Sequence, residues 1–145
     1  MIHSENKDKF ILTLHRYFIW ALYQHNTFKT VIRVVNTEKT RESARFTRPF
    51  GYGSYWYASM YVVIEGWLEL KLHDKKIDVF LKNAKYIQLL RRYRNGVFHF
   101  QKDYEDNRFE IFFKRGSDFN IWVDEIYHEF DRFFLEWSKK EKSEK

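Results

Sequence analysis

The sequence predicts an all-α protein, an up-and-down bundle of four to five helices. Three observations point there. Apolar residues recur three or four positions apart over long stretches, the period of a helix with one buried face. Breakers are scarce: five Gly and one Pro in 145 residues are too few for a turn-rich sandwich or barrel. Aromatic residues make up 21% of the chain, large side chains that supply a core for a protein of this size. One domain is expected over residues 1–138, with a charged tail at 139–145.

The first helix starts near Ser4 or Asn6, either of which can accept a backbone N–H bond as a cap. Phe10, Leu14, Tyr17, Ala21, Phe28, Val31 and Val35 mark its apolar face, with a disturbance expected around His25 to Thr27. Residues 37–53 read as a loop, polar at first and ending in Pro49-Phe50-Gly51-Tyr52-Gly53, the clearest cluster of breakers. Ser54 caps a second helix, roughly Tyr55 to Leu72. Its apolar side chains cover most of the circumference and leave only a strip at Ala58, Glu65 and Glu69. A helix so widely apolar belongs in the middle of a bundle.

A short helix is expected over Lys76 to Lys82, then one from Ala84 to Lys102 capped by Asn83. Asp103 to Arg115 reads as a connection with a helical turn around Phe109 to Phe113. Ser117 or Asp118 opens a last helix, whose stripe is Phe119, Trp122, Ile126, Phe130, Phe133 and Trp137.

Composition narrows the chemistry. The chain has no cysteine, so disulfides, a thiol nucleophile and thiolate metal sites are excluded. His3, His15, His25, His73 and His128 show no ligand spacing, and neither a metal nor a cofactor is expected. No nucleotide-binding glycine fingerprint and no nucleophile elbow occurs. No signal peptide or membrane span can be drawn at the start, so a cytoplasmic location is the expectation. The net charge of +6 suits a polyanionic partner such as RNA, and equally suits solubility alone. Arg41, Arg45 and Arg48 interleave with Phe46, Phe50 and Tyr52, a composition that can hold phosphates and stack bases.

The sharpest signal lies in Leu89-Leu90-Arg91-Arg92-Tyr93-Arg94-Asn95-Gly96-Val97-Phe98-His99-Phe100. With Arg94 at zero on a helical wheel, Tyr93, Val97, Leu90, Ile87 and Phe98 span an apolar arc of roughly 140° centred near −30°. Arg94 lies inside that arc, while His99, Asn95, Gln88 and Arg92 gather at roughly 100° to 160°. A guanidinium there is explained in one of three ways: its stem snorkels to solvent, it pairs with a carboxylate such as Glu65, or it lines a cleft for an anion. Gly96 is costly in a helix, by about 1 kcal/mol relative to Ala, and allows close packing or a bend.

Arg94-Asn95-x-x-x-His99 resembles the signature of HEPN domains, in which an Arg is followed by a polar residue and, after four to six intervening positions, by a His. Arg92, with six residues between it and His99, also satisfies the spacing. The surroundings are similar too: a long first helix, a central helix ending in Val63-Ile64-Glu65-Gly66-Trp67, and the bundle as a whole. The resemblance implies a metal-independent endoribonuclease, a toxin or phage-defence component, that cleaves RNA by attack of its own 2′-hydroxyl. In that reading Arg94, Asn95, His99 and Glu65 are catalytic, and Arg92, Arg41, Arg45, Arg48 and Tyr52 bind RNA. Imidazole suits proton transfer near neutral pH, and guanidinium suits phosphate. A homodimer with two facing motifs, and an antitoxin protein as partner, are further implications. The alternative is a non-catalytic HEPN-like module that binds nucleic acid, a nucleotide or a protein.

Overall fold

A computed structural model describes residues 4–37, 42–114 and 117–145. They form α1 (Ser4–Thr37), α2 (Glu42–Glu69), α3 (Lys75–Leu81), α4 (Ala84–Phe98), a 3₁₀ turn (Asn107–Phe109), α5 (Glu110–Phe113) and α6 (Asp118–Ser143). No strand occurs among the described residues, and the protein is an all-α helical bundle. No helix among them is long and apolar enough to cross a membrane.

The helix α2 is central, as its broad apolar surface requires. Trp56, Met60, Val63, Ile64 and Trp67 are all buried. α1 runs antiparallel along it: Leu14 packs at Gly66, and Phe28 packs at Gly53. The buried face of α1 is Ile11, Leu14, Phe18, Ala21, Phe28 and Val31, so Phe10 and Tyr17 point outward, contrary to the expected stripe. The expected disturbance near His25 is absent. Helix continues because His25 and Phe28 pack inward, while the Thr27 and Thr30 hydroxyls are accommodated by donating to the carbonyls of Tyr23 and Asn26 (2.9 and 3.0 Å). Its ring stacks on Tyr127 at 4.2 Å and meets Trp56 edge-on at 4.7 Å.

The largest departure from expectation is residues 42–53, which are the start of α2 and not a loop. Pro49 removes one helical hydrogen bond, and glycine is a poor helix former. Tertiary packing outweighs both. Pro49 is buried, and Phe50 meets Phe109 and Phe112 at 5.5 and 5.2 Å. Gly53 lies under the ring edges of Phe112 and Phe28, where a side chain has no room.

At its far end α2 stops in a Schellman motif. Lys71 adopts φ 52°, its N–H donates to the Leu68 carbonyl, and Leu72 N–H donates to that of Trp67. Of the expected caps, Asn83 Oδ1 accepts from Tyr86 N–H at 3.1 Å and Ser117 Oγ accepts from Asn120 N–H at 3.4 Å, whereas Ser54 is no cap: α2 starts at Glu42, and the Ser54 hydroxyl inside it bonds that of Tyr93. Asp74 caps α3 and also receives Arg132 of α6 at 2.6 Å. Burial opposes the charged form of Asp74, yet the Ile77 N–H and Arg132 hold its pKa below the ordinary value. α6 extends through Ser143, so residues 139–143 continue the helix where a tail was expected. Its inner face, Phe119, Trp122, Ile126 and Phe130, is buried as expected, while Phe133 and Trp137 pack partly buried at its edge.

Two outcomes follow from this packing. Gly53→Ala should destabilise the fold by about 1–3 kcal/mol, because the new methyl has to displace two rings. Gly51 has open space around the position of a Cβ. Gly51→Ala should therefore raise the thermal midpoint, by up to about 1 kcal/mol of stability. Burial lowers the His25 pKa below its ordinary 6.5, with Lys29 and His128 adding to the effect and Asn26 and Asp124 opposing it. The unfolded chain then binds more protons than the folded one below pH 6.5, so stability should fall as pH drops through that point. Thermal melts of wild type and His25→Phe should show a shallower acid decline in the variant. His15, shifted in the same direction by burial, retains part of it.

Candidate functional site

Only three residues of α4 are buried: Leu90, Tyr93 and Gly96. On the wheel used above they centre near −100°, so the inward face is turned by about 70° from the arc of apolar residues. The cause is the segment that follows the helix. The 3₁₀ turn lies on the Gly96 side, where Phe109 ring atoms stand 3.1 and 3.2 Å from the position of a Cβ and Arg108 Cβ stands at 3.2 Å. Phe109 also meets Tyr93 edge-on at 6.0 Å. Glycine at 96 is a docking surface for that turn. On the α2 side, the Tyr93 and Ser54 hydroxyls hydrogen-bond at 2.7 Å within the core, and burial raises the Tyr93 pKa well above that of an ordinary phenol.

This rotation decides where each candidate residue points. Arg94 moves to the seam between α2 and α4, half-buried. Its guanidinium carbon lies 4.8 Å from the centre of the Tyr61 ring, a cation–π arrangement. Its Nε is buried and has no hydrogen-bond partner among the described residues. A cation over a tyrosine face contributes about 0.5–2 kcal/mol. A buried, unsatisfied donor costs about 1–3 kcal/mol. The two magnitudes are comparable, so the stacking offsets much of the cost, and the half-buried guanidinium still keeps part of its surface open to an acceptor. Glu65, one turn along α2 from Tyr61, is exposed, and no ion pair joins it to Arg94. Of the three explanations for this arginine, pairing with Glu65 is not the one the structure adopts.

His99 leaves the helix. Its backbone is extended (φ −117°, ψ 130°), and α4 stops at Phe98, short of the expected Lys102. Its N–H donates to the Asn95 carbonyl at 3.1 Å, and its own carbonyl accepts from Gln101 Nε2 at 2.8 Å. The imidazole is exposed, and Asn95 is half-buried. No hydrogen bond joins the side chains of Arg94, Asn95 and His99 to one another; they share the end of one helix without forming a closed constellation. Arg92 faces away from the seam. Its Nη2 donates to Asn107 Oδ1 at 3.2 Å, and it lines a cleft of about 470 Å³ between α4, the 3₁₀ turn and the start of α6. Arg48 and Tyr52 are exposed near the start of α2. Arg41 and the side chain of Arg45 lie outside the described residues. Among the described residues no group of three or more His, Asp or Glu side chains is placed to hold a metal ion.

Several residues that the sequence reading passed over complete the picture. Phe98, assigned to the buried arc, is 56% exposed and stacks on Tyr55, itself 49% exposed, at 6.2 Å with 30° between the rings. Phe100 and Tyr104 in the following loop are 91% and 98% exposed. Tyr61, the ring beneath Arg94, was read only as part of an apolar surface. One signal was available in the sequence. Between Val79 and Lys102 lie six cations (Lys82, Lys85, Arg91, Arg92, Arg94 and Lys102) and no acid. Of 26 cations and 20 acids in all, the remainder of the chain then carries twenty of each. The whole excess charge belongs to α4 and its flanks.

Comparison with protein-family models, with curated proteins and with solved structures finds no match to this chain. The class these features define is an α-helical bundle with a cationic, aromatic seam along one helix, and the reading of its function rests on that seam.

Proposed function

We propose that this chain is a HEPN-like, metal-independent endoribonuclease that binds RNA along the α2–α4 seam. The single observation that supports the reading is Arg94, a guanidinium clamped on Tyr61 with a buried Nε that lacks an acceptor. A phosphate oxygen is the acceptor that suits a forked, always-charged donor. Cleavage needs a proton taken from the 2′-hydroxyl, charge stabilised on the phosphorane, and a proton returned to the leaving oxygen. In this scheme the exposed His99 imidazole moves protons, Arg94 holds the phosphate, and Asn95 binds a second phosphate oxygen. Glu65, exposed one turn beyond Tyr61, is the nearby carboxylate on α2 that would complete the polar lining. A second copy, with its own Arg94 and His99 facing the first, would supply the closure that one chain does not show.

The separation of Arg94 from His99 within one chain favours a second reading, a module that binds RNA without cutting it. One experiment distinguishes the two. A labelled RNA is incubated with wild type, Arg94→Ala and His99→Ala in the presence of a chelator. A nuclease of this kind cleaves despite the chelator. Loss of the proton-transfer group should lower the rate by roughly 10²- to 10⁴-fold. Arg94→Lys should rescue poorly, because an ammonium lacks the planar fork. Equal rates for all three proteins would rule out catalysis here, and RNA binding without cleavage by wild type would favour the second reading.

A further inference from the structure

Arg91, Arg94 and Phe98 follow one another on α4 at i, i+3 and i+7, so they form one stripe along the helix. Arg91 is exposed and joins no carboxylate among the described residues; Arg94 has its partnerless Nε. At the end of the stripe the Tyr55–Phe98 pair presents two stacked rings, each about half open to solvent. Exposed apolar surface of this kind is unfavourable in water by about 25 cal/mol for each Å². Here it lies beside the six cations that no acid accompanies between Val79 and Lys102. α4 itself carries no acid.

We infer that Tyr55 and Phe98 form a stacking platform for one unpaired nucleobase, whose adjoining phosphate lies against Arg94 and Arg91. This rests on the RNA-binding part of the reading above and is independent of cleavage. Three features select this occupant. An aromatic platform takes a base by its π-face, which a duplex keeps inside its own stack. Cations one turn along the same stripe are spaced to meet the backbone that carries that base. The positive stripe also calls for a polyanion, which neutralises it and removes the repulsion that the same stripe of a second copy would otherwise meet.

The test compares three fluorescent probes of equal length by anisotropy, in chelator: a single-stranded RNA 12-mer, the same backbone without bases, and a blunt RNA duplex. Wild type and His99→Ala are both measured, so that cleavage and binding are scored separately. Phe98→Ala should weaken binding of the single strand roughly 5- to 100-fold. Its salt dependence should be unchanged, because no phosphate contact is lost. Phe98→Leu, which keeps an apolar side chain on the helix but removes the ring face, should behave like Phe98→Ala, and Phe98→Trp should bind as wild type does. Arg91→Gln should instead weaken all three probes and flatten the salt dependence. Equal binding of the base-free and base-bearing strands by wild type would overturn the platform, as would an unaltered Phe98→Leu, or a failure to bind any of the probes. Discrimination by base with no cleavage by wild type would support the platform while sinking the nuclease.

Discussion

The contact between Phe109 and Gly96 is the constraint on which the outer face of this bundle depends. A ring edge 3.1 Å from the place of a Cβ leaves no space for any side chain at position 96 without local movement. It draws the 3₁₀ turn onto α4 and fixes which way the helix faces. Tyr93 and Leu90 then turn into the core, and Phe98 turns out to meet Tyr55. Arg94 is left at the seam, where the Tyr61 ring supports it and its Nε waits for an acceptor. The candidate site is a consequence of how the connection after α4 docks, more than of α4 alone.

The rest of the bundle supplies a rigid base for that arrangement. α2 carries both Tyr55 and Tyr61, and its long buried face is set against α1 and α6. Arg132 ties α6 to α3 through Asp74 and to its own helix through Glu129 and Glu136, at 2.6, 2.7 and 3.0 Å. Trp122 adds a hydrogen bond to the Phe80 carbonyl at 3.2 Å. These clasps are remote from the seam in sequence, and in them one cation engages three acids. The cations of α4 have no such set of acids among the described residues.

Much of the fold was legible because its signals are local. Asn83 and Ser117 are strong capping residues, the short α3 lies within one residue of its expected place, and the broad apolar surface of α2 predicts a central helix without reference to any partner. The first twelve residues of α2 were not legible. Pro49, Gly51 and Gly53 are breakers by intrinsic propensity, and only contacts with Phe109, Phe112 and Phe28, distant in the chain, reverse that preference. The facing of α4 was misread for a related reason. A wheel weighs side chains by hydropathy, and a glycine has none to weigh, so the side that is most tightly packed looked empty. Arg94 was recognisable as an anomaly, whereas its partner Tyr61 was not, since an aromatic on a wholly apolar helix carries no special mark. The charge asymmetry between Val79 and Lys102 was in plain view and needs only counting.

The facing of α4 can be measured directly, because the native chain has no cysteine and a single engineered thiol reports its own exposure. In Phe98→Cys the thiol should react with an aromatic disulfide reagent nearly as fast in the folded protein as in denaturant, while Leu90→Cys should be protected until the protein unfolds. A protected thiol at position 98 would place that side chain in the core, return α4 to the orientation its hydropathy suggests, and remove the seam on which the functional reading stands.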